Sequence, residues 1–248
     1  MKKRSLILLL LVIFVIAGAA AALSGMGGPT APPVPGYSPA PALPALDTAH
    51  GPAGLPDGVS GQIALSADSR HPVVRSFVTE YSRSGSGANT FAGVIDLWEA
   101  IRGNWSYERG PGDFIVYHPA SATIARGLKG NCLDFAILNA AMVESLGGRA
   151  RVVTASNPVD GGHAYTEVYA GDSLAGIMPV GDYIASRYNT TAVHWHKTVG
   201  PGGETGYWLN LDWQAPYPGG PFFTDNGTYY ASFLTGSGER YTDSGIPV

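Results

Sequence analysis

The chain contains one cysteine, and the residues around it could make a nucleophile. Cys132 follows Gly130-Asn131 and opens an apolar run that is typical of a helix. At the first turn of a helix, the unpaired backbone N–H groups and the positive end of the helix dipole favour thiolate over thiol. A lone cysteine cannot close a disulfide within the chain, so its value lies in packing, in reactivity or in pairing between chains. Most free cysteines are small buried hydrophobes, which is the alternative here.

Two further residues could complete a thiol-based site. His163 opens a predicted strand behind a Gly-Gly pair that we expect to leave its ring accessible, and Asp212 closes a later predicted strand. A histidine can take the thiol proton, and an acid can hold the far ring nitrogen in one tautomer. Asn210 lies two residues before Asp212, and its amide could replace the acid. A core histidine and a surface aspartate are the alternative interpretations.

The order of these residues resembles the transglutaminase-like superfamily, which has papain-like topology. That family places Gly-x-Cys at a helix start, a histidine two residues before an aromatic on a strand, and an aspartate on the next strand. Gly130 with Cys132, His163 with Tyr165, and Asp212 match this pattern across residues 90–215. The connection between His163 and Asp212 is far longer than the family's usual hairpin.

The resemblance implies acyl chemistry on amide bonds through a thioester, with hydrolysis and crosslinking both open and no cofactor needed. The substrate would be a protein or peptide. Related enzymes can use an upstream indole N–H for the oxyanion, and Trp105 is the candidate, although it could equally be a buried aromatic. Asp134 is expected to be structural or to face substrate. A non-catalytic interaction domain of the cell envelope is the alternative function, but such domains are expected to lose residues of the triad.

Element patterns predict an α+β domain with the cysteine helix packed on an antiparallel sheet. Helical spacing predicts helices at 72–83, 90–103, 121–128, 132–146 and 178–188, and alternation predicts strands at 150–155, 164–170, 192–198 and 207–212. Helices that precede most of the strands favour segregated α and β layers.

The N-terminus predicts export. Lys2, Lys3 and Arg4 precede an apolar run at residues 6–23, which favours either a membrane anchor with the domain outside or a cleaved signal peptide and secretion. We therefore divide the chain into an anchor or signal at 1–26, a linker at 27–58 and a transglutaminase-like domain at 59–248. Nine of the 19 prolines fall in 27–58, which is typical of an extended spacer or a disordered tail.

Other sites are weaker. Three sequons, at Asn104, Asn189 and Asn226, could accept glycans if the chain is exported. His194 and His196, with His118 or Asp182, are a fragment of a metal site, but no ligand cluster completes it, so we expect no metal and interpret the two histidines as alternating exposed residues. A net charge of −4 with 14% charged residues gives no reason to expect nucleic-acid binding.

Overall fold

The computed structural model describes residue 42 and residues 58–82, 90–110, 115–159, 161–200, 202–223, 228–234 and 237–242. All of them fall within one compact unit, Pro39–Val248. The predicted membrane segment at 6–23 and nearly all of the linker lie outside the described residues. Among the helices that are described, none combines the length and the apolar character needed to cross a bilayer.

The described part of the chain contains six helices and eight strands. The helices are α1 (Gly58–Ser66), α2 (Pro72–Ser82), α3 (Phe91–Asn104), α4 (Ala120–Ala125), α5 (Cys132–Ser145) and α6 (Leu174–Tyr188). The strands are β1 (Ser106–Tyr107), β2 (Lys129–Gly130), β3 (Ala150–Asn157), β4 (Gly161–Gly171), β5 (Trp195–Val199), β6 (Thr205–Asn210), β7 (Thr228–Phe233) and β8 (Gly238–Thr242).

Six strands form one antiparallel sheet in the order β5-β6-β4-β3-β7-β8, and β1 pairs with β2 in a separate parallel ladder. The β3–β4 hairpin places Ala155 opposite His163. Helix α5 packs on β3 and β4, and its buried side chains include Phe135, Ile137 and Leu138, with small alanines between them. The predicted α+β fold, with the cysteine helix on an antiparallel sheet, is therefore confirmed.

A single buried side chain ties α5 to the sheet. Thr166, in β4, is fully buried and donates its hydroxyl to the carbonyl of Ala136 in α5 at 2.6 Å. The carbonyl of Thr166 accepts the backbone N–H of Leu211 at 2.9 Å, one residue before Asp212. Thr166 thus links the cysteine helix, the histidine strand and the aspartate segment.

The long connection between β4 and β6 is an insertion rather than a break in the sheet. It contains α6 and β5, and β5 pairs with the outer side of β6. Strand β6 still lies directly beside β4, with Asn210 opposite Glu167. The insertion therefore leaves the histidine and aspartate segments adjacent.

The structure differs from the predicted elements at several ends. Strand β5 begins at Trp195, because the backbone N–H of His194 donates to Gly219 outside the sheet. Strand β6 ends at Asn210, so Asp212 lies two residues beyond the strand. The prediction that Asp212 closes this strand is therefore wrong. Helix α1 and strands β1, β2, β7 and β8 were not predicted. Strand β7 buries Tyr229 and Ala231 on the sheet face opposite α5.

Candidate active site

Cys132 is the first residue of α5, and a capping box fixes this helix start. The side chain of Asn131 accepts the backbone N–H groups of Leu133 and Asp134 at 2.9 and 3.1 Å, and the carboxylate of Asp134 accepts the N–H of Asn131 at 2.9 Å. Among the described residues, none accepts the backbone N–H of Cys132. The box therefore pairs the amides around the cysteine and leaves that of the cysteine open.

Gly130 makes the capping box sterically possible. A Cβ at this position would lie 2.4 Å from Oδ2 of Asp134, well inside contact distance. The glycine two residues before Cys132 therefore lets the Asp134 carboxylate reach the N-cap. The carboxylate of Asp134 also bonds the ring of His118 at 2.8 Å. The contacts of Asp134 are thus structural ones, to the N-cap and to His118.

His163 lies near the start of β4, with its ring held between Asp212 and Cys132. Its Nε2 is 2.8 Å from Oδ2 of Asp212, and Cys132 lies close enough to the ring to raise its pKa. Because Nε2 is engaged by the aspartate, Nδ1 is the nitrogen left for the sulfur. The expected accessible ring is wrong: His163 is only 6% exposed, and Phe223 covers it with ring centroids 4.8 Å apart.

Opposing effects set the charge of His163. Burial lowers its pKa, but Asp212, through its hydrogen bond and charge, and Cys132 outweigh burial and raise the pKa from 6.5 to about 9. The ring is therefore an imidazolium at neutral pH, flanked by Asp212 and Cys132.

The turn that carries Asp212 is fixed from several directions. Its Oδ1 accepts the N–H of Gln214 at 3.0 Å, and its own N–H donates to Oδ1 of Asn210 at 2.9 Å. Just before it, the carbonyl of Leu211 accepts the indole N–H of Trp98 at 3.1 Å. Tertiary contacts from α3 and β4 thus place a carboxylate that follows the end of a strand.

Asn210 supports this turn and does not replace the acid. Its Nδ2 donates to the carbonyls of Gly220 and Pro221, each at 3.1 Å, and its Oδ1 holds Asp212. It is fully buried. The alternative in which its amide takes the place of Asp212 is therefore wrong. The geometry agrees instead with a supporting role, in which Asn210 holds the turn that carries Asp212.

Trp105 stands beside the start of the cysteine helix. Its ring meets Phe135 edge-to-face, with centroids 5.0 Å apart. Its indole nitrogen is buried and has no hydrogen-bond partner among the described residues. A buried donor without a partner is uncommon. The indole N–H of Trp105 is therefore available to donate a hydrogen bond beside helix α5.

The sequons are partly visible. Asn104 and Asn189 are both exposed. Asn104 donates its amide to the carbonyl of Ala100 at 2.8 Å, and Asn189 ends α6 in a left-handed conformation with φ of 50°. Asn226 lies outside the described residues.

The histidines of the metal alternative are engaged separately. His196 is fully buried and binds the carboxylate of Glu167, so its expected exposure is wrong, while His194 precedes β5 and is half-buried. His118 binds Asp134 instead. Within the described ranges, no group of three or more histidine, cysteine or acidic side chains could hold a metal ion.

A buried charge cluster on the sheet was missed from the sequence. Arg151 bonds Glu167 at 2.6 and 2.7 Å, Glu167 also binds His196, and all three are fully buried. Burial raises the pKa of Glu167, but Arg151 and His196 outweigh it and lower the pKa. Arg151 and Glu167 are direct cross-strand partners, so correct β3–β4 pairing would have predicted their contact.

Comparison with known proteins supports the resemblance seen in the sequence. Residues 77–181 match the model of the transglutaminase-like superfamily, a range that includes Cys132 and His163 and ends before Asp212. A crystal structure from Cytophaga hutchinsonii, described as a candidate cysteine protease, is 24% identical over 42% of this chain and 35% of that chain, with a TM-score of 0.35. None of the curated proteins compared matches this chain. The match to the family model confirms the predicted resemblance, and it supports a domain of the thiol-enzyme kind.

Proposed function

We propose that this transglutaminase-like domain is a thiol enzyme in which Cys132, His163 and Asp212 act on amide bonds through a thioester. One observation carries the proposal: a single buried imidazole bonds Asp212 at 2.8 Å through Nε2 and lies close enough to Cys132 for the sulfur to raise its pKa. This is the arrangement of a nucleophile, its base and an orienting acid.

In the first half of the reaction, the thiolate of Cys132 attacks the amide carbonyl carbon. The carbonyl oxygen becomes an oxyanion, for which the unpaired N–H of Cys132 and the indole N–H of Trp105 are the nearby donors. The C–N bond then breaks and the imidazolium of His163 protonates the leaving amine. The carbon–sulfur bond remains as a thioester.

The charge balance around His163 suits both halves of the reaction. The negative sulfur contributes to the raised pKa of His163, and forming the carbon–sulfur bond moves that charge to the carbonyl oxygen. The imidazolium therefore becomes a stronger acid when the leaving amine needs a proton. As a neutral base, it then takes a proton from the water or amine that attacks the thioester, and the thiolate leaves.

The second substrate decides between hydrolysis and crosslinking. Attack by water gives a free acid, and attack by a lysine amine gives a new amide. We favour hydrolysis of peptide-type amides, because an exported domain faces water. The retained triad argues against the alternative of a non-catalytic interaction domain.

The test uses the full chain and a thiol-directed glutamine or amide probe. Because Cys132 is the only cysteine, the labelled site is unambiguous. We expect labelling of the wild type and of the His71→Ala control, whose histidine is exposed, loss in Cys132→Ala and a strong decrease in His163→Ala. Equal labelling of wild type and His163→Ala, with no turnover of amides, would favour the interaction domain.

We further propose that residues 6–23 hold the domain outside the cell membrane, with residues 27–58 as the spacer. The basic start and the apolar run support this localisation. Membrane fractionation with N-terminal sequencing tests it. An intact N-terminus in the soluble fraction would contradict both anchoring and cleavage, and a trimmed one would favour secretion.

A further inference from the structure

An open cleft of about 650 Å³ adjoins the proposed site. Half of its lining residues are aromatic, and they include Trp98, Trp105, Tyr107 and Trp213. Trp213 directly follows Asp212. Tyr107 stacks on Trp213 with ring centroids 5.2 Å apart, and in the β1–β2 ladder it pairs with Gly130, two residues before Cys132. A group bound in the cleft would therefore lie beside the reacting amide.

Arg102 is a fixed cation in this cleft. Its Nε donates to the carbonyl of Trp213 at 2.9 Å, and its guanidinium lies 5.0 Å from the centre of the Trp98 ring. Among the described residues, its two terminal nitrogens have no partner. The arginine is therefore oriented by the protein while its terminal donors stay available.

Glu99 is the acidic residue that lines the cleft, and its carboxylate is already occupied by other residues. Both oxygens of Glu99 are engaged, Oε1 by Arg187 and by the hydroxyl of Tyr188, and Oε2 by Arg187 at 2.6 Å. The cleft thus offers unused charged donors and no unused carboxylate acceptor from Glu99. A planar guanidinium fork matches a carboxylate, and aromatic walls suit the apolar part of the same molecule.

We propose that this cleft is a substrate subsite for peptide amides that carry a free carboxylate near the scissile bond, with Arg102 as its recognition residue. The statement that a substrate occupies the cleft rests on the proposed function. The binding preference itself does not, because it needs neither the thiol nor turnover.

Binding is measured with the full-length Cys132→Ala chain and the probe N-acetylphenylalanine, compared with its carboxamide. Three of the five tryptophans line the cleft, so tryptophan fluorescence reports occupancy. We expect the carboxylate to bind about tenfold more tightly than the carboxamide. Arg102→Gln should remove that preference, and Arg102→Lys should retain part of it. Arg75→Gln removes the same charge from the exposed face of α2 and should change nothing.

Equal affinity for the two probes, no binding of either, or the same result for Arg102→Gln and Arg75→Gln would each overturn the subsite. If Arg102→Gln does not fold, Arg102→Lys replaces it. An undiminished carboxylate preference in Arg102→Lys would also overturn the subsite, because lysine lacks the guanidinium fork. Thiol labelling without carboxylate preference would retain the proposed function and reject the subsite. Carboxylate preference without thiol labelling would do the reverse.

Discussion

The substitution Asp212→Asn isolates the charge that sets the state of His163. Asparagine keeps the size of the side chain, and its Oδ1 can still accept the ring N–H at the position of the present 2.8 Å contact. The turn should persist, because Asn210, Trp98 and Thr166 hold it through backbone groups. What changes is the negative charge beside the imidazolium, together with the bond from the N–H of Gln214, because an amide has only one oxygen.

The magnitude follows from the balance at the ring. The rise of the His163 pKa from 6.5 to about 9 corresponds to about 3 kcal/mol in favour of imidazolium, at about 1.4 kcal/mol per unit. Burial opposes this rise, so Asp212 and Cys132 together supply more than the net amount. Without the aspartate charge, burial is opposed mainly by Cys132. We therefore expect the pKa to fall by at least about one unit, which is about 1.4 kcal/mol.

Two assays follow this shift. NMR titration of the His163 ring, assigned with His163→Ala, gives the pKa directly, and the iodoacetamide labelling rate of Cys132 against pH reports the neighbouring sulfur. Wild type should keep its imidazolium until the pH approaches 9. Asp212→Asn should lose it earlier, and its labelling between the two pKa values should slow because less positive charge stabilises the thiolate.

Stability should follow the same titration. The folded chain holds a proton on His163 that the unfolded chain releases near pH 6.5, so this stabilisation is complete below that pH and is lost as pH rises through about 9. The stability advantage of wild type over Asp212→Asn in urea should therefore shrink across that window. The control is Asp182→Asn, which removes an exposed carboxylate on α6. If Asp212→Asn and Asp182→Asn both retained the wild-type His163 titration, the assignment of Asp212 as the orienting charge would be refuted.

Two further substitutions test how the cysteine helix is held. Gly130→Ala should break the capping box, because the new Cβ would lie 2.4 Å from Oδ2 of Asp134. The free energy of unfolding in urea should fall by about 1–2 kcal/mol. Gly103→Ala, whose Cβ meets nothing within 4 Å, is the steric control, and equal effects of the two substitutions would reject the steric argument. Thr166→Val should remove the 2.6 Å bond to Ala136, destabilise the domain by about 1 kcal/mol and slow the labelling of Cys132. Thr166→Ser keeps the hydroxyl and should restore the labelling rate. An unchanged labelling rate in the valine variant would mean that this bond does not position the sulfur.

The start of the cysteine helix could be predicted from the sequence because its determinants are local. Asn131 and Asp134 form a cap within one turn, and Gly130 stands where their approach needs space. The apolar spacing of α5 and the alternation in β3 and β4 likewise identify their elements without tertiary information. These local signals, with the order of Cys132 and His163, were enough for the α+β fold and for the family resemblance.

Only the tertiary structure decided which distant groups meet. The insertion of α6 and β5 separates His163 from Asp212 along the chain, and only the pairing of β6 with β4 brings the two together. Burial of the His163 ring under Phe223 and the orientation of Arg102 against the carbonyl of Trp213 depend on segments remote in sequence. Strand pairing and burial are non-local, so periodicity can identify the elements but not the contacts between them.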